Sequence, residues 1–469
     1  MHVTIIGAGF SGSALAAELA RRGGGNGLRV TLVGVTETFG RGVAYGTALP
    51  EHLLNVRAKD LGADADDPGG FAAALALGEQ ARLDFLPRLA YGDYLQDWLA
   101  RRLGESAVPV ARVEDEAISV ERSAGGGFEV LLANGDDFHS DVVVLAVGTL
   151  PPQTLSGVGP RLAVHPSYVG WPWQEGALDT IAPEARLLVV GTGLTMADVI
   201  LSLRRRGHRG HITAISRHGL LPQAHTAQPG APVELPPRVQ QALRHHDLRG
   251  LVHALRQLSS VVPDWRTVID ALRPHLQPFW MGLDDANRSR FLRHLRSYWE
   301  VLRHRVAPSI AAELDQLRAA GSLDVRPARL LRARRGQHGV EAMVRERGAD
   351  SAWTGHFDAL IRATGLDTDV ERTPHPLVST LRESGLVRGD RYGLGMDTDA
   401  ALRVRDRSGT SVPGLYCLGP LLRARFWEVT AIPELRVAAR DLAIGLLAVA
   451  EAEREGAGAA QDRLVQQHA

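Results

Sequence analysis

The chain opens on a glycine pattern that is compatible with few folds. Residues 3–6 are apolar and predict a short buried strand, and Gly7, Gly9 and Gly12 follow in a Gly-x-Gly-x-x-Gly turn before a helix of small residues. The first glycine of such a turn allows a tight bend, the second lets a pyrophosphate approach the backbone, and the third lets helix and strand pack closely. The helix amides and dipole then face the phosphates. The pattern predicts a dinucleotide-binding unit.

The same pattern occurs a second time near the middle of the chain. Residues 186–190 form an apolar run, and Gly191 and Gly193 follow it, with Met196 in place of the third glycine. This copy is looser than the first, but a strand precedes it and a helix follows it, as the motif requires. Two such units predict one site for FAD and a second site for NAD(P)H.

Length, charge and cysteine content exclude several classes of protein. The 469 residues suffice for two or three domains, and the 53 basic and 53 acidic residues balance. This balance gives no electrostatic reason to expect nucleic acid or a membrane surface as a partner. No apolar run approaches the roughly 18 residues of a membrane span, and the chain begins within a strand, so we expect a cytoplasmic protein. Cys417 is the only cysteine, which excludes an intrachain redox dithiol, and no metal site is expected.

The strand that follows each glycine helix departs from the usual dinucleotide pattern. Residues 28–33 end at Gly34, where an acid commonly binds the ribose hydroxyls, and Glu37 is the nearest carboxylate. Either Glu37 reaches back from the loop or the ribose is held less directly. In the second unit the corresponding strand ends at Arg217, which suits a 2′-phosphate and favours NADPH over NADH. A solvated loop arginine is the alternative.

Three further blocks carry a resemblance to a known family. They are residues 40–46 together with 52–56, the arginine-rich segment near Arg293, and residues 427–436. With these blocks the chain resembles the bacterial FAD/NAD(P)-binding proteins that include FAD-dependent urate hydroxylases and aspartate N-monooxygenases. Arg57 departs from the pattern, because relatives usually have proline there. The resemblance implies an α/β fold with two Rossmann-like dinucleotide-binding domains of the three-layer ββα type and a helical insertion.

These features together predict a discontinuous domain organisation. We expect an FAD-binding domain in residues 1–160 and 351–455, an NADPH-binding domain in 161–235 and 322–350, a helical insertion in 236–321 and a disordered tail in 456–469. Apolar residues at helical spacing predict helices over 239–258, 265–276 and 285–305 of the insertion. The closing helix is expected over 436–450.

The expected cofactor-binding residues lie in the two turns, at the ends of the strands that return beside them, and in two segments that the resemblance implies. They are Gly7, Gly9, Gly12, Glu37, Asn55, Gly148, Thr149, Gly191, Gly193, Arg217, Gly365, Gly419, Pro420, Thr430 and Ala431. Thr430 and Ala431 would begin a helix whose N-terminus points at the isoalloxazine and stabilises negative charge on the reduced ring.

The substrate-binding candidates come from composition and from the arginine-rich helix. Lys59 is the only lysine in a chain that otherwise uses arginine, which suggests a need for an ammonium group there, although a residual surface lysine would look the same. Arg293, Tyr298, Trp299 and Arg303 combine guanidinium and aromatic groups, which suits a planar anion such as urate or an amino-acid carboxylate. An amphipathic helix with solvated arginines is the alternative.

The resemblance and the two nucleotide units predict an NADPH-consuming, FAD-dependent monooxygenase. It would hydroxylate a small polar substrate with O₂ through a flavin hydroperoxide, and urate, in purine catabolism, is the first choice. An amino-acid N-hydroxylase is the second choice. A non-catalytic FAD/NAD(P)-binding sensor is a third alternative, which the glycine at position 34 slightly favours. No residue stands out as an acid or base, and this chemistry does not require one.

Overall fold

The computed structural model describes residues 1–24, 27–35 and 39–467, so that Glu37 lies outside the described residues. The strands are β1 His2–Ile6, β2 Arg29–Gly34, β3 Val110–Glu114, β4 Ala117–Arg122, β5 Phe128–Leu132, β6 Asp137–Ser140, β7 Val142–Leu145, β8 Tyr168–Val169, β9 Leu187–Val190, β10 Ile212–Ser216, β11 Leu323–Arg335, β12 Val340–Glu346, β13 Trp353–Phe357, β14 Ala359–Arg362, β15 Arg403–Arg405 and β16 Ser411–Cys417.

The helices are α1 Phe10–Arg22, α2 Gly42–Gly46, α3 Gly70–Ala74, α4 Arg88–Gly104, α5 Pro160–Ala163, α6 Leu194–Arg205, α7 Pro237–Arg244, α8 Leu248–Val261, α9 Trp265–Gly282, α10 Asp285–His294, α11 Arg296–Arg303, α12 Pro308–Ala319, α13 Pro376–Glu383 and α14 Ile432–Gln467. Short 3₁₀ helices span Ala58–Asp60, Ala81–Leu83 and Pro420–Leu422. No helix in the described part of the chain is both long and apolar enough to cross a membrane.

A six-stranded sheet in the order β15-β16-β7-β1-β2-β3 contains the first glycine turn. β1 lies at its centre and runs parallel to both β2 and β7, and only β15 is antiparallel to its neighbour. All four residues of β7 are buried, as expected for a parallel strand that is covered on both faces. β16 comes from the C-terminal part of the chain and pairs with β7, so this sheet combines strands from both ends of the sequence.

A seven-stranded sheet in the order β13-β12-β11-β10-β9-β14-β8 contains the second glycine turn. β11, β10, β9, β14 and β8 run parallel, whereas β12 and β13 extend the sheet as antiparallel strands. β11 is unusually long because its first half pairs with β10 and its second half pairs with β12. A smaller antiparallel sheet, β4-β5-β6, lies between β3 and β7 in sequence and contacts α13.

The helical insertion is a separate apolar cluster that packs onto the C-terminal part of the chain. Asp247, Asp264 and Asp284 start α8, α9 and α10, because each side chain accepts a hydrogen bond from a backbone amide in the first turn. Leu272 and Trp280 of α9 are buried in this cluster, and Trp427 from the C-terminal segment completes it.

Three boundaries differ from those that the sequence predicted. The expected second part of the FAD domain began at residue 351, but β13 and β14 lie in the second sheet, because β14 pairs with β9 beside the second turn. The helix expected over 285–305 is two helices that meet at Leu295, where φ is −111°. Backbone hydrogen bonds continue across this junction. The closing helix begins at Ile432 and continues to Gln467 through the expected tail, which is rich in the helix formers Ala, Glu and Gln.

Candidate functional site

The first glycine turn is fixed by the end of the neighbouring strand β7. Gly7 has φ +109°, and a Cβ atom on it would lie 2.2 Å from the carbonyl oxygen of Ala146. A Cβ atom on Gly12 would lie 1.9 Å from the carbonyl oxygen of Gly7. Both contacts are with backbone atoms, which cannot move aside cheaply. Gly7 and Gly12 are therefore required because a side chain at either position would collide with the backbone of the turn or of its neighbouring strand.

The second turn repeats this construction. Gly191 has φ +114°, and a Cβ atom on it would lie 2.0 Å from the carbonyl oxygen of Ala363 at the end of β14. Gly193 precedes α6 as Gly9 precedes α1. Met196, which replaces the third glycine, is fully buried in the core beneath the second sheet. The looser pattern is compatible with the same turn because the methionine side chain packs into that core.

The backbone at both turns is open on the side where a pyrophosphate would approach it. A Cβ atom on Gly193, Gly148 or Gly365 would meet no heavy atom within 4 Å. At Gly9 the one close residue is Gly42, whose Cα would lie 3.4 Å from the added Cβ. The second turn is open, whereas the start of α2 covers one side of the first turn. The residues at both turns fit a dinucleotide phosphate.

The two predicted nucleotide sites meet where their returning strands end. Thr149 follows Gly148 after β7, and Gly365 follows β14 in the same way. The amide of Leu150 donates to the carbonyl of Asp367 over 3.1 Å, which joins the two segments directly. The structure thus places the two strand ends at one junction between the sheets.

The end of β2, where a carboxylate is expected at the adenosine ribose of the first unit, lies beside the end of β3. Gly34 ends β2, and Glu37 is not among the described residues. In the sheet register Gly34 pairs with Glu114, the last residue of β3. A carboxylate-bearing residue therefore stands at the adjacent position of this sheet edge, which the sequence analysis did not consider because β3 and β2 are far apart in the chain.

The C-terminal candidates lie against the first turn. Gly419 has φ +103°, and a Cβ atom on it would lie 3.0 Å from Ser11 Oγ in the first turn of α1. Pro420 begins a 3₁₀ helix directly after it. Thr430 and Ala431 immediately precede α14, and the carbonyl of Ala431 accepts a helical hydrogen bond from an amide four residues on. α14 therefore begins directly after Thr430 and Ala431, four residues before the start at 436 that was expected for the closing helix.

One buried and one partly buried ion pair hold Glu428 and the first turn of α14 to the helical insertion. Arg303 Nε donates to Glu428 over 2.9 Å, and Trp299 Nε1 donates to the other oxygen of the same carboxylate at 2.9 Å. Arg273 donates to Glu434 over 2.7 Å. The side chains of Arg303 and Glu428 are only 7% and 6% exposed. Burial lowers the pKa of Arg303, while Glu428 and Glu434 act in the opposite direction.

The five substrate candidates do not converge on one place. Trp299 and Arg303 bind Glu428 and so position the segment before α14. Arg293 is exposed and lines a different cavity, and the ring of Tyr298 lies 5.4 Å from that of His218 beside the same cavity. Lys59 lies in neither group and forms an ion pair with its neighbour Asp60, with both side chains 42% exposed. The geometry does not show the single planar-anion site that the arginine-rich segment suggested.

Polar contacts that the sequence analysis missed join α6 to the N-terminus of α4 and to the loop that contains His52. Arg88 donates to Asp198 over 2.9 Å, and His52 Nε2 lies 2.8 Å from Ser202 Oγ. Burial raises the pKa of Asp198 and lowers that of His52. The ring of Trp173 packs against both Arg88 and His52. No local sequence pattern signals such a cluster, because its members come from four separate segments of the chain.

Asn55 lies in the loop that follows His52, between the two sheets. Its carbonyl oxygen accepts a hydrogen bond from His225 Nε2 at 3.1 Å, and burial lowers the pKa of His225 to about 3, so the ring is neutral. Arg57, the residue at the unusual position, donates to the carbonyls of Thr226 and Ala227. An arginine at this position therefore ties the loop to the segment that leads into the helical insertion.

The comparisons with known proteins agree with this geometry. Residues 4–150 match the family described as FAD-NAD(P)-binding. This segment is an FAD/NAD(P)-binding domain. It contains the first glycine turn, β7 and the strand end at Gly148. The chain as a whole matches no curated protein in sequence. Within the described residues, no group of three or more His, Cys, Asp or Glu side chains could hold a metal ion.

Solved structures share the fold along nearly their whole length. An ornithine N-hydroxylase from Kutzneria sp. 744 has a TM-score of 0.64 at 16% identity, and the match covers 96% of this chain and 99% of that chain. An L-lysine 6-monooxygenase from Pseudomonas syringae has a TM-score of 0.63 at 17% identity, covering 95% and 98%. An ornithine hydroxylase from Pseudomonas aeruginosa has a TM-score of 0.62 at 17% identity, also covering 95% and 98%. At this identity the likeness establishes the fold, which includes the FAD/NAD(P)-binding domain.

The open space at Gly193 allows nucleotide binding to be tested without disturbing the fold. Gly193 has φ −90° and ψ −160°, which valine adopts readily, and a Cβ atom there meets nothing within 4 Å. We expect Gly193→Val to melt at the wild-type temperature and to keep its FAD, but to lose NADPH binding by calorimetry. Gly191→Ala is the contrasting variant, because its Cβ collides with Ala363 and should prevent folding. Undiminished NADPH affinity in Gly193→Val would refute this assignment of the second turn.

Because Arg303 is paired with Glu428, we expect removal of its side chain to lower the stability of the fold and not to remove a substrate contact. Arg303→Ala leaves Glu428 buried without its partner and should lower the free energy of unfolding by about 3–5 kcal/mol. Arg293→Ala, at an exposed arginine of the same arginine-rich segment, should change it by no more than about 0.5 kcal/mol. Urea denaturation of the FAD-loaded variants measures both. The double variant Arg303→Met, Glu428→Gln should recover part of the lost free energy of unfolding. If Arg293→Ala and Arg303→Ala both had equally small effects, the structural role of Arg303 would be contradicted.

Proposed function

We propose that this protein is an FAD-dependent, NADPH-consuming monooxygenase that hydroxylates the amine nitrogen of a small amino acid or diamine. The observation that carries the proposal is the coextensive fold: the matches to ornithine and lysine hydroxylases cover 95–96% of this chain and 98–99% of theirs. A likeness of this extent includes both nucleotide units and the insertion between them. A likeness limited to one shared domain would cover a much smaller part of the chain.

The two glycine turns supply the nucleotide sites that this chemistry needs. The first turn, with Gly9, Gly148 and the Gly419–Pro420 segment beside it, suits FAD, and the open second turn suits NADPH. FAD bound at the first turn would supply the chemistry of this reaction, namely acceptance of a hydride from NADPH and transfer of an oxygen atom from O₂ to the substrate. The protein holds the nucleotides through bare backbone, and the Glu428 and Glu434 ion pairs fix the segment that leads into the N-terminus of α14.

The cysteine content favours O₂ as the acceptor of the electrons. Reductases that pass electrons to a disulfide need a pair of cysteines, and this chain has only Cys417. That thiol is buried, and burial raises its pKa to about 12, so it is neither accessible nor ionised at neutral pH. The chain has the two nucleotide turns of such enzymes without their dithiol.

An amine is favoured over urate as the substrate. Within the family resemblance urate is the first choice, and the guanidinium and aromatic groups of the arginine-rich segment suit urate and an amino-acid carboxylate alike. In the structure Arg303 and Trp299 are engaged by Glu428, which removes two of the groups that would have bound a planar anion. The names of the similar structures refer to ornithine and lysine, and none of the three reported above refers to a purine.

The proposal is tested by product formation under air. FAD-loaded protein with NADPH should consume O₂ faster when ornithine, lysine or a short diamine is added, and the product should be a hydroxylamine detectable by mass spectrometry. The matched control is the N-acetylated amine, whose nitrogen lone pair is delocalised and should not accept oxygen. Stimulation by urate with a hydroxylated purine product would reinstate the first alternative. FAD binding without NADPH oxidation on any substrate would indicate a sensor.

A further inference from the structure

A cavity of about 480 Å³ at the carboxyl end of β10 is lined largely by arginines. Arg217 follows the last residue of β10, is exposed and belongs to this cavity. In the register of the sheet Ser216 pairs with Pro327, so that the second half of β11 continues past the point where β10 ends. The hairpin of β11 and β12 therefore forms a wall beside the second glycine turn, at the place where the adenosine ribose of a bound dinucleotide lies in this fold.

Two arginines of this hairpin face each other across the strands. Arg329 and Arg345 are direct cross-strand partners, and both line the cavity. Among the described residues neither takes part in an ion pair, and the nearest carboxylate in the cavity, Glu346, is bound by Arg326 at 3.0 Å. Like charges directly opposite each other destabilise a sheet. An anion bound between the two guanidinium groups would relieve this repulsion.

A neutral histidine completes the lining of the cavity. Arg347 Nη1 lies 2.9 Å from His218 Nδ1 and can only donate, so the imidazole accepts there and carries its proton on Nε2. Burial lowers the pKa of His218, and the charges of Arg347, Arg217 and Arg329 lower it further. His218 is therefore a neutral hydrogen-bond donor at neutral pH, and the positive charge of the cavity comes from the arginines.

We propose that Arg329 and Arg345 of the β11–β12 hairpin, together with Arg217, bind the phosphomonoester on the adenosine ribose and so select NADPH over NADH. The inference rests on the proposed function in one respect, the placement of NADPH at the second turn. A 2′-phosphate carries nearly two negative charges at neutral pH, and a guanidinium group binds its oxygens in a planar fork. Because three arginines share the phosphate, selectivity is expected to survive the loss of Arg217 in part and to fail when the hairpin pair is removed.

Binding of nucleotide fragments separates this role from catalysis. Calorimetry of the FAD-loaded protein with 2′,5′-ADP and with ADP should show a strong preference for 2′,5′-ADP in the wild type. We expect Arg329→Ala and Arg345→Ala each to weaken 2′,5′-ADP by about tenfold or more while ADP binds as before. Arg332→Ala is the matched control, since Arg332 is an exposed arginine of β11 that lies outside the cavity. Arg345→Lys should recover part of the affinity, because it keeps the charge without the fork.

Melting temperatures provide a second readout that a structural role would not reproduce. Without ligand, Arg329→Ala and Arg345→Ala should melt at or above the wild-type temperature, because the cross-strand repulsion is gone. A fixed concentration of 2′,5′-ADP should raise their melting temperatures less than it raises that of the wild type. Equal losses for ADP and 2′,5′-ADP, or no loss for either, would overturn the inference. A wild type that prefers 2′,5′-ADP through the hairpin pair but hydroxylates no substrate supports the inference and refutes the proposed function alone.

Discussion

The contact of each first glycine with the end of a neighbouring strand is the constraint on which the rest of the structure depends. The carbonyl oxygens of Ala146 and Ala363 lie where a side chain on Gly7 or Gly191 would begin, so each turn can pack this closely against its returning strand only because its first residue is glycine. For the first turn that strand is β7, and for the second it is β14, some 170 residues further along from the turn in sequence. Each turn therefore combines a glycine pattern that is local in sequence with a packing contact from a distant strand.

The helical insertion acts on the nucleotide region through buried charge. Arg303 and Arg273 hold Glu428 and Glu434 on either side of Thr430 and Ala431. A buried ion pair of this kind adds little net stability compared with apolar packing, but breaking it is expensive, so it fixes one arrangement against others. Arg423 reinforces the same segment by pairing with Glu300 and stacking over Trp427. The insertion thereby determines how the chain enters α14.

The arginines of this chain have at least three different physical roles. Arg303 is a buried partner of carboxylates, Arg57 is a donor to backbone carbonyls, and Arg345 stands in an exposed cluster without a carboxylate partner among the described residues. A guanidinium group suits each role, because its planar donors serve carboxylate, carbonyl and phosphate alike. The sequence analysis treated the arginines near Arg293 as one group because they follow each other in the chain.

The sequence by itself determined the elements whose signals are local. The two glycine turns, the strands before them, the helices after them and the glycines at 148 and 365 that follow the returning strands can all be predicted from spacing and residue type within short windows, and so can the α/β fold class. The tertiary structure decided which distant segments share a sheet or a site. It assigned β13 and β14 to the second sheet, placed Glu114 beside Gly34, and paired Arg303 with Glu428 and Arg329 with Arg345. These outcomes depend on strand order and on contacts between residues far apart in sequence, and no periodicity within one segment encodes such contacts.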